Sequence, residues 1–339
     1  MKSIITQEQL ARKFNVTRQA VSYALRGSPK VSAALREQIL AEAKRLGYDP
    51  VANRNATSLA SQRNGRPMTW STVAIVAPQP HLMPLRSTTY FADILHGIEM
   101  EAAIRDIDLL WTGLRASGIP HLLRSRQVDG VISLLSRPQD NHQILSLGLP
   151  CVLLDHQLPG ARCIVPDNTT GMTLLVDHLR ERGHRRIGYV GLVPDNTSSS
   201  ERLSAFEKAA GKPAAWRALL TGLDPGVATQ ACMDFKLGNN GTYPVSAIVC
   251  YNDFIAMEVI SSLRAQGIRV PEDISVVGFD NIPEATTSGL TTIGFDRIAE
   301  GRMALRLAIT NDEVEGGQAD LTRIPVQLIK RESSTTVAR

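Results

Sequence analysis

Apolar positions recur at helical spacing twice within Thr6 to Gly27, TQEQLARKFNVTRQAVSYALRG. Leu10, Ala11 and Phe14 make one stripe, and Ala20, Val21, Ala24 and Leu25 make another. The pattern predicts two short helices joined by a tight turn. Thr6 and Gln9 fit a capping box at the first start. Asn15 falls at the turn, where it tolerates a left-handed backbone. Thr17 is a good N-cap for the second helix, and Gly27 ends it. A third helical pattern opens at Ser32, with Leu35, Ile39, Ala43 and Leu46 on one stripe and Gly47 at its end. It can cover the hairpin to make a three-helix head. Tyr48 to Thr69 is polar, with Ala56, Leu59 and Ala60 apolar around its centre. A two-turn helix there is unstable alone, and would form only with support from DNA or a second subunit. A flexible tether is the plainer reading.

From Ser71 the pattern changes to alternating strands and helices. Apolar strand candidates are Val73–Ala77, Asp108–Trp111, Gly130–Leu134, Cys151–Leu154, Ile187–Val190, Ala247–Cys250, Ser275–Phe279 and Ile324–Ile329. Helical stretches at Phe91–Ile104, Thr169–Arg182, Arg202–Ala210, Phe254–Gln266 and Arg297–Thr310 separate most of them. This alternation predicts an α/β fold with parallel sheets covered by helices on both faces. Some 260 residues are long for one such domain, so two lobes are expected.

Charge divides the chain at the same place. Residues 1–66 hold 12 Lys or Arg against 4 Asp or Glu, and the remainder holds 25 against 29. A basic head on a mildly acidic body points to a nucleic-acid-binding segment attached to something else. Cys151, Cys163, Cys232 and Cys250 have no metal-ligand spacing and read as buried thiols in a reducing compartment. No signal-peptide h-region and no apolar run of about 18 residues is present, so a cytoplasmic protein without membrane contact is expected.

The second helix of the head carries Arg18, Gln19, Ser22, Tyr23 and Arg26 on its polar face. Guanidinium and amide groups can donate bidentately to guanine and pair with adenine, so this face suits a helix laid in the major groove. Phosphate is favoured near Thr17 by the helix dipole. Arg36, Lys44 and Arg45 are equally candidates for phosphate contact and for solvated surface. In the body, four strand-like runs end in Asp or Asn: Asp155, Asp167-Asn168, Asn252-Asp253 and Asp280-Asn281. Ligands in open α/β sheets bind beyond the carboxyl ends of strands. Carboxylates and amides placed there suit hydroxyl-rich ligands. They are also good helix caps: Asp167 reads as a cap, Asp155 and Asp280 as ligand contacts, and Asn252 as either. Arg202 near a helix start could clamp a ligand, though taken alone it reads as a surface arginine. Tyr90 and Phe91 could stack on a ring or belong to the core.

Together these segments resemble the lactose-repressor/galactose-repressor (LacI/GalR) family of bacterial transcription regulators over essentially the full length. The head matches through the hairpin, VSAALREQILAEAKRLGYDP and the Ala–Leu linker. GHRRIGYVG, RVPEDISVVGFDN and KRESS, in that order, are the specific matches in the body. The resemblance implies a helix-turn-helix head over residues 1–48, a hinge over 49–70 and a periplasmic-binding-protein-like body over 71–339. It implies two lobes, 71–167 with 295–323 and 168–294 with 324–339. It implies a homodimer that reads pseudo-palindromic operator DNA and answers a small-molecule effector, expected to be a sugar, with no cofactor and no metal. By position, Thr6, Thr17, Arg18, Gln19, Ser22, Tyr23, Arg26 and the minor-groove leucine Leu59 are implied to contact DNA. Tyr90, Phe91, Asp155, Arg202, Asn252, Asp280 and Phe295 are implied to line the effector cleft. Tyr23 departs from the arginine of many members, Ala205 from a usual glycine, and Phe295 from a polar residue of some sugar-responsive members. The linker is two residues longer than usual. A transport receptor fits the body but not the basic head. An enzyme using the cleft carboxylates lacks a motif that fixes a reacting pair.

Overall fold

The structure is a computed structural model that describes residues 7–25, 30–45, 72–78, 89–114, 118–134, 138–211, 216–224, 226–232, 243–310 and 320–337. Thr6, Arg26, Leu59 and the 49–70 linker lie outside the described residues. The chain divides into two compact units, Met1–Thr69 and Trp70–Arg339.

In the first unit, α1 (Gln7–Lys13), α2 (Arg18–Leu25) and α3 (Ala33–Arg45) enclose a small core of Leu10, Ala11, Val21, Ala24, Val31, Ile39 and Ala43. Asn15 turns the chain with φ +50°, as its position predicts. Thr17 Oγ1 accepts from the Ala20 N–H at 3.1 Å, and Ser32 Oγ accepts from the Leu35 N–H at 3.3 Å. Thr17 is therefore the predicted cap, and Ser32 caps the helix that it was expected to open. Glu42 ties α3 to α1 through Lys13 and binds Arg45 at 2.7 Å; these hydrogen bonds hold its carboxyl down at about 2.

The second unit contains two six-stranded sheets. The first is built from β1 (Thr72–Pro78), β2 (Asp108–Leu114), β3 (Gly130–Ser133), β4 (Cys151–Leu154), β5 (Arg162–Pro166) and β11 (Asp320–Ile324). Their order is β11-β5-β4-β3-β1-β2, with every pairing parallel. The second takes β6 (Ile187–Leu192), β7 (Arg217–Leu220), β8 (Ala247–Cys250), β9 (Ser275–Asp280), β10 (Thr291–Phe295) and β12 (Val326–Ile329), in the order β12-β10-β9-β8-β6-β7. Only β12 runs antiparallel to its neighbour, with Phe295 opposite Val326. The inner strands are buried along their whole length, which is why they read as unbroken apolar runs.

The helices between them are α4 (Thr89–Arg105), α5 (His121–Arg124), α6 (Pro138–Leu145), α7 (Asn168–Glu181), α8 (Thr197–Ala210), α9 (Val227–Cys232), α10 (Asp253–Ala265), α11 (Pro283–Thr287) and α12 (Arg297–Ala308). Helices α4 and α12 lie backbone to backbone. A Cβ at Gly97 would strike the Ile298 carbonyl, and one at Gly301 would strike the Ile94 carbonyl. Asp167 caps α7 through the Thr170 N–H at 3.0 Å, as expected.

Two expectations are corrected. The run Ile324–Ile329 is not one strand: it breaks at Pro325, whose missing N–H ends β11, and the chain then enters the other sheet as β12. Helix α8 begins at Thr197, five residues before Arg202, because Asn196 and Ser199 form a reciprocal cap ahead of the Ser-rich turn. The chain crosses between sheets three times, after β5, after β10 and after β11. The first and last crossings lie side by side, with Ile324 paired to Pro166.

Candidate functional site

The head presents helix α2. Val21 and Ala24 face inward, Arg18 and Gln19 are exposed, and Ser22 and Tyr23 are half-buried at the margin. Gln19 Nε2 donates to the Tyr23 hydroxyl at 3.0 Å, one helical turn away. The Lys30 ammonium stands 5.3 Å from the Tyr23 ring centre. Gln19 and Tyr23 thus form one coupled polar surface beside the Arg18 guanidinium. Of the phosphate candidates, Arg45 is engaged by Glu42.

In the body, the carboxyl ends of both sheets converge on one cluster. Asp155 directly follows β4 with φ +60°. It accepts from the Ser198 hydroxyl at 2.9 Å and from the Tyr90 phenol at 3.5 Å. Asp280 ends β9 with φ +112° and is buried. Arg202 on α8 is 2% exposed and fills the space between the strand ends. Its Nε donates to Asn168 Oδ1 at 2.8 Å, its Nη1 to the Tyr251 carbonyl at 2.8 Å, and its Nη2 to Asp280 Oδ1 at 3.4 Å. The guanidinium also lies 3.8 Å from the Phe279 ring centre and 4.7 Å from that of Tyr251. It is a fixed clamp and not a surface arginine.

Aromatic rings wall this cluster. Tyr90 meets Phe91 edge-on at 4.8 Å and Phe295 at 6.4 Å, and Phe279 lies 6.4 Å from Phe295. Phe91 belongs to the core, whereas Phe295 is half-exposed at the end of β10. A second guanidinium, Arg297, opens α12. It pairs with Asp93 at 2.6 Å and donates to the carbonyls of Asp280 and Asn281, joining the two sheets' helices and strands. Thr89 to Glu284 (2.8 Å) and the Gln157 N–H to Thr197 (2.7 Å) add two further bridges between the lobes.

The charge balance is uneven. Burial pushes the Asp280 carboxyl up to about 7, against Arg202 and with Asp155 adding to the rise. Burial, then Asp280, pushes Asp253 up to about 8, although Thr292 and the Ile282 N–H both donate to it. Glu300, fully buried on α12, is raised well above the usual carboxylate range by burial, then by Asp155 and Asp280. Arg202 is the opposite case: burial works against its charge, and Asp280, Tyr251, Tyr90 and Asp155 together more than restore it. Asn252 is engaged as the cap of α10, accepting from the Ile255 N–H at 2.9 Å.

Tyr90, Asp155, Arg202, Asp280 and Phe295 thus come together, with Phe91 behind them. Asn168, named with Asp167 at a strand end, joins them, as do Ser198, Phe279, Arg297 and Glu300, which had not been singled out from sequence. Asn168 and Ser198 read as helix-start residues. Arg297 and Glu300 sit in a helical run whose charges read as solvated. Among the described residues no group of three His, Cys, Asp or Glu is placed to hold a metal ion. No described helix is long and apolar enough to cross a membrane.

Residues 176–334 match the periplasmic binding protein-like domain family. The chain is 30% identical over 353 residues to the HTH-type transcriptional regulator CelR of Thermobifida fusca, covering 97% of this chain and 98% of that protein. It is 27% identical over 333 residues to the HTH-type transcriptional repressor CytR of Escherichia coli K12, covering 92% and 90%. Among solved structures, a complex of the regulator CelR with cellobiose matches with a TM-score of 0.65 at 25% identity, over 97% of this chain and 99% of that one. A lac repressor dimer bound to operator and an anti-inducer shares the fold, with a TM-score of 0.63 at 24% identity over 99% and 100%.

Proposed function

The chain belongs to the LacI/GalR family of DNA-binding transcription regulators, and from that premise we propose that it is a dimeric repressor whose grip on operator DNA is set by a sugar bound between its lobes. One observation carries the effector half of this reading: the buried Arg202 clamp, flanked by Asp155 and Asp280 and walled by Tyr90, Phe279 and Phe295, at the carboxyl ends of two sheets. Hydroxyl groups suit such a set of paired acceptors and donors, and an aromatic wall suits the apolar face of a sugar ring. The relative CelR, solved with cellobiose, supports the same ligand class.

The division of labour follows. Residues 1–48 read DNA, 49–70 form the hinge, and 71–339 bind effector and a second copy. Arg18, Gln19, Ser22 and Tyr23 read bases, with Thr6, Thr17, Arg26 and Leu59 completing the contact. Phosphate contacts from the basic head supply salt-dependent affinity, and the base contacts supply preference. Effector and operator each favour one arrangement of the same protein, so each changes the affinity for the other by the same factor. The protein works by binding in the cytoplasm, with no turnover of the sugar.

Selection of sites from random duplex DNA by the full-length protein tests this reading. The expected product is a pseudo-palindrome with half-sites about one helical turn apart. Arg18→Ala should weaken binding to that site by about 1–3 kcal/mol. No enriched sequence, or an Arg18→Ala protein with unchanged affinity, would overturn it.

A further inference from the structure

Among the described residues, Glu300 is the one acid of the cleft with nothing to hold. Its residue is fully buried, and neither carboxyl oxygen has a hydrogen-bond partner. The two described cations beside it, Arg297 and Arg202, are taken. Arg202 is shared among Asn168, the Tyr251 carbonyl and Asp280; Arg297 is shared among Asp93 and the carbonyls of Asp280 and Asn281. Its other charged neighbours, Asp155 and Asp280, repel it. An unpartnered buried carboxyl destabilises a fold. Neither oxygen has a donor, in a cluster whose other described acids have theirs, and two ligand donors would favour the ionised carboxylate against the rise that burial imposes.

We propose that Glu300 is a specificity-determining residue of the effector cleft, and that the cleft takes a polyhydroxylated ligand whose two adjacent hydroxyls donate to its two carboxyl oxygens. This rests on the reading of the cleft as a sugar site and deepens it. A vicinal diol spans a carboxylate with two parallel O–H···O bonds, supplying the donors that the protein withholds. The ring edge that carries the diol then points toward α12, and its apolar face toward Phe295 and Tyr90. Asp155 and Asp280 are left for the hydroxyls on the other side of the ring. A ligand that lacks one of the two hydroxyls strands one oxygen, and the site rejects it.

The test uses the full-length protein as wild type, Glu300→Gln and Glu300→Leu. Melting is followed without ligand, and then calorimetric titration is run with D-glucose, D-galactose, D-ribose and cellobiose, and with the mono-deoxy forms of whichever binds. Both variants should melt at or above the wild-type temperature, because each removes a buried, unpaired acid. The sugar that binds wild type should bind Glu300→Leu about 10- to 100-fold more weakly, with Glu300→Gln between. One mono-deoxy form should bind wild type weakly and lose little more in Glu300→Leu. Both variants melting several degrees lower would reveal a structural partner for Glu300 and overturn the proposal. So would a sugar that binds wild type and Glu300→Leu alike, and that result would leave the sugar reading of the cleft standing. A wild type that binds none of the four sugars would overturn the sugar reading and the diol assignment together.

Discussion

Replacing Arg202 with Met keeps most of the apolar stem over Phe279 and removes the guanidinium fork. Two well-formed bonds are lost, to Asn168 and to the Tyr251 carbonyl, each worth about 1 kcal/mol. The larger effect falls on Asp280, which is buried and loses its cation; removing one partner of a buried pair costs about 3–5 kcal/mol in all, the two lost bonds included. That penalty depends on pH. Arg202 is what opposes the rise of the Asp280 carboxyl, which already stands at about 7. Without Arg202 it rises further, so the variant holds a proton that the wild type has released at pH 8, and both hold it at pH 5.5. A raised carboxyl stabilises most below its unfolded value and loses that contribution as pH climbs through the folded one. The deficit of Arg202→Met is therefore about 3–5 kcal/mol at pH 8 and about 1–3 kcal/mol at pH 5.5. Residues 1–69 hold no tryptophan, and Trp111 and Trp216 lie in the second unit, so tryptophan fluorescence during urea unfolding follows the body and not the head. With a slope of about 2–3 kcal/mol/M, the midpoint should fall by about 1–2 M at pH 8 and by clearly less at pH 5.5. Equal shifts at the two pH values, or a shift under about 0.3 M at pH 8, would refute the assignment of Arg202 as the counter-charge of Asp280.

Two further outcomes follow from the same geometry. Gly301→Ala sets a Cβ against the Ile94 carbonyl, so α4 and α12 must part; a loss of about 2–4 kcal/mol in urea unfolding is expected, and a loss within about 0.5 kcal/mol would show that the helices do not meet there. His178 is buried against Ser334, and burial, then Arg182, pushes its imidazole down to about 4. The neutral ring is the folded form, so its contribution is complete above the ordinary value of 6.5 and is lost as pH falls toward 4. His178→Gln should flatten the fall in unfolding free energy between pH 7 and 4.5, from urea titrations, by about 1–2 kcal/mol, and an unchanged slope would contradict it.

Local chemistry made much of this fold legible. Asn15 at the turn, Thr17 and Ser32 as caps, and Asp167 as the cap of α7 each act through neighbours within three residues, and periodicity supplied the rest of the head. The sequence misled where tertiary contact overrides local preference. The short strands β7 and β10 carry little apolar signal of their own, and the break at Pro325 separates two strands that read as one. Arg202 is the clearest case in the cleft. Nothing within its own helix requires burial, and its partners come from residues 34, 49 and 78 positions away. Glu300 was hidden for the same reason, since an acid between Ala299 and Gly301 on an amphipathic helix looks solvated until α4 is packed over it.

The three crossings between the sheets set an order of manufacture. Strands β1 to β5 are complete once residue 166 has been made, yet the helix α12 that covers them and the strand β11 that closes their edge wait for residues 297–324. At about 5–20 residues per second, that wait lasts on the order of 10–30 s of translation. Throughout it the first sheet has an open β5 edge, reading RCIVP, and a bare apolar face, the two features by which nascent chains stick to one another. The lobe begun first stays open until residue 324, long after most of the second sheet has been made. A substitution in α12 or β11 therefore acts on the yield of the protein in a cell as well as on its stability in a cuvette, because it lengthens the life of a half-built sheet that a chaperone must shelter.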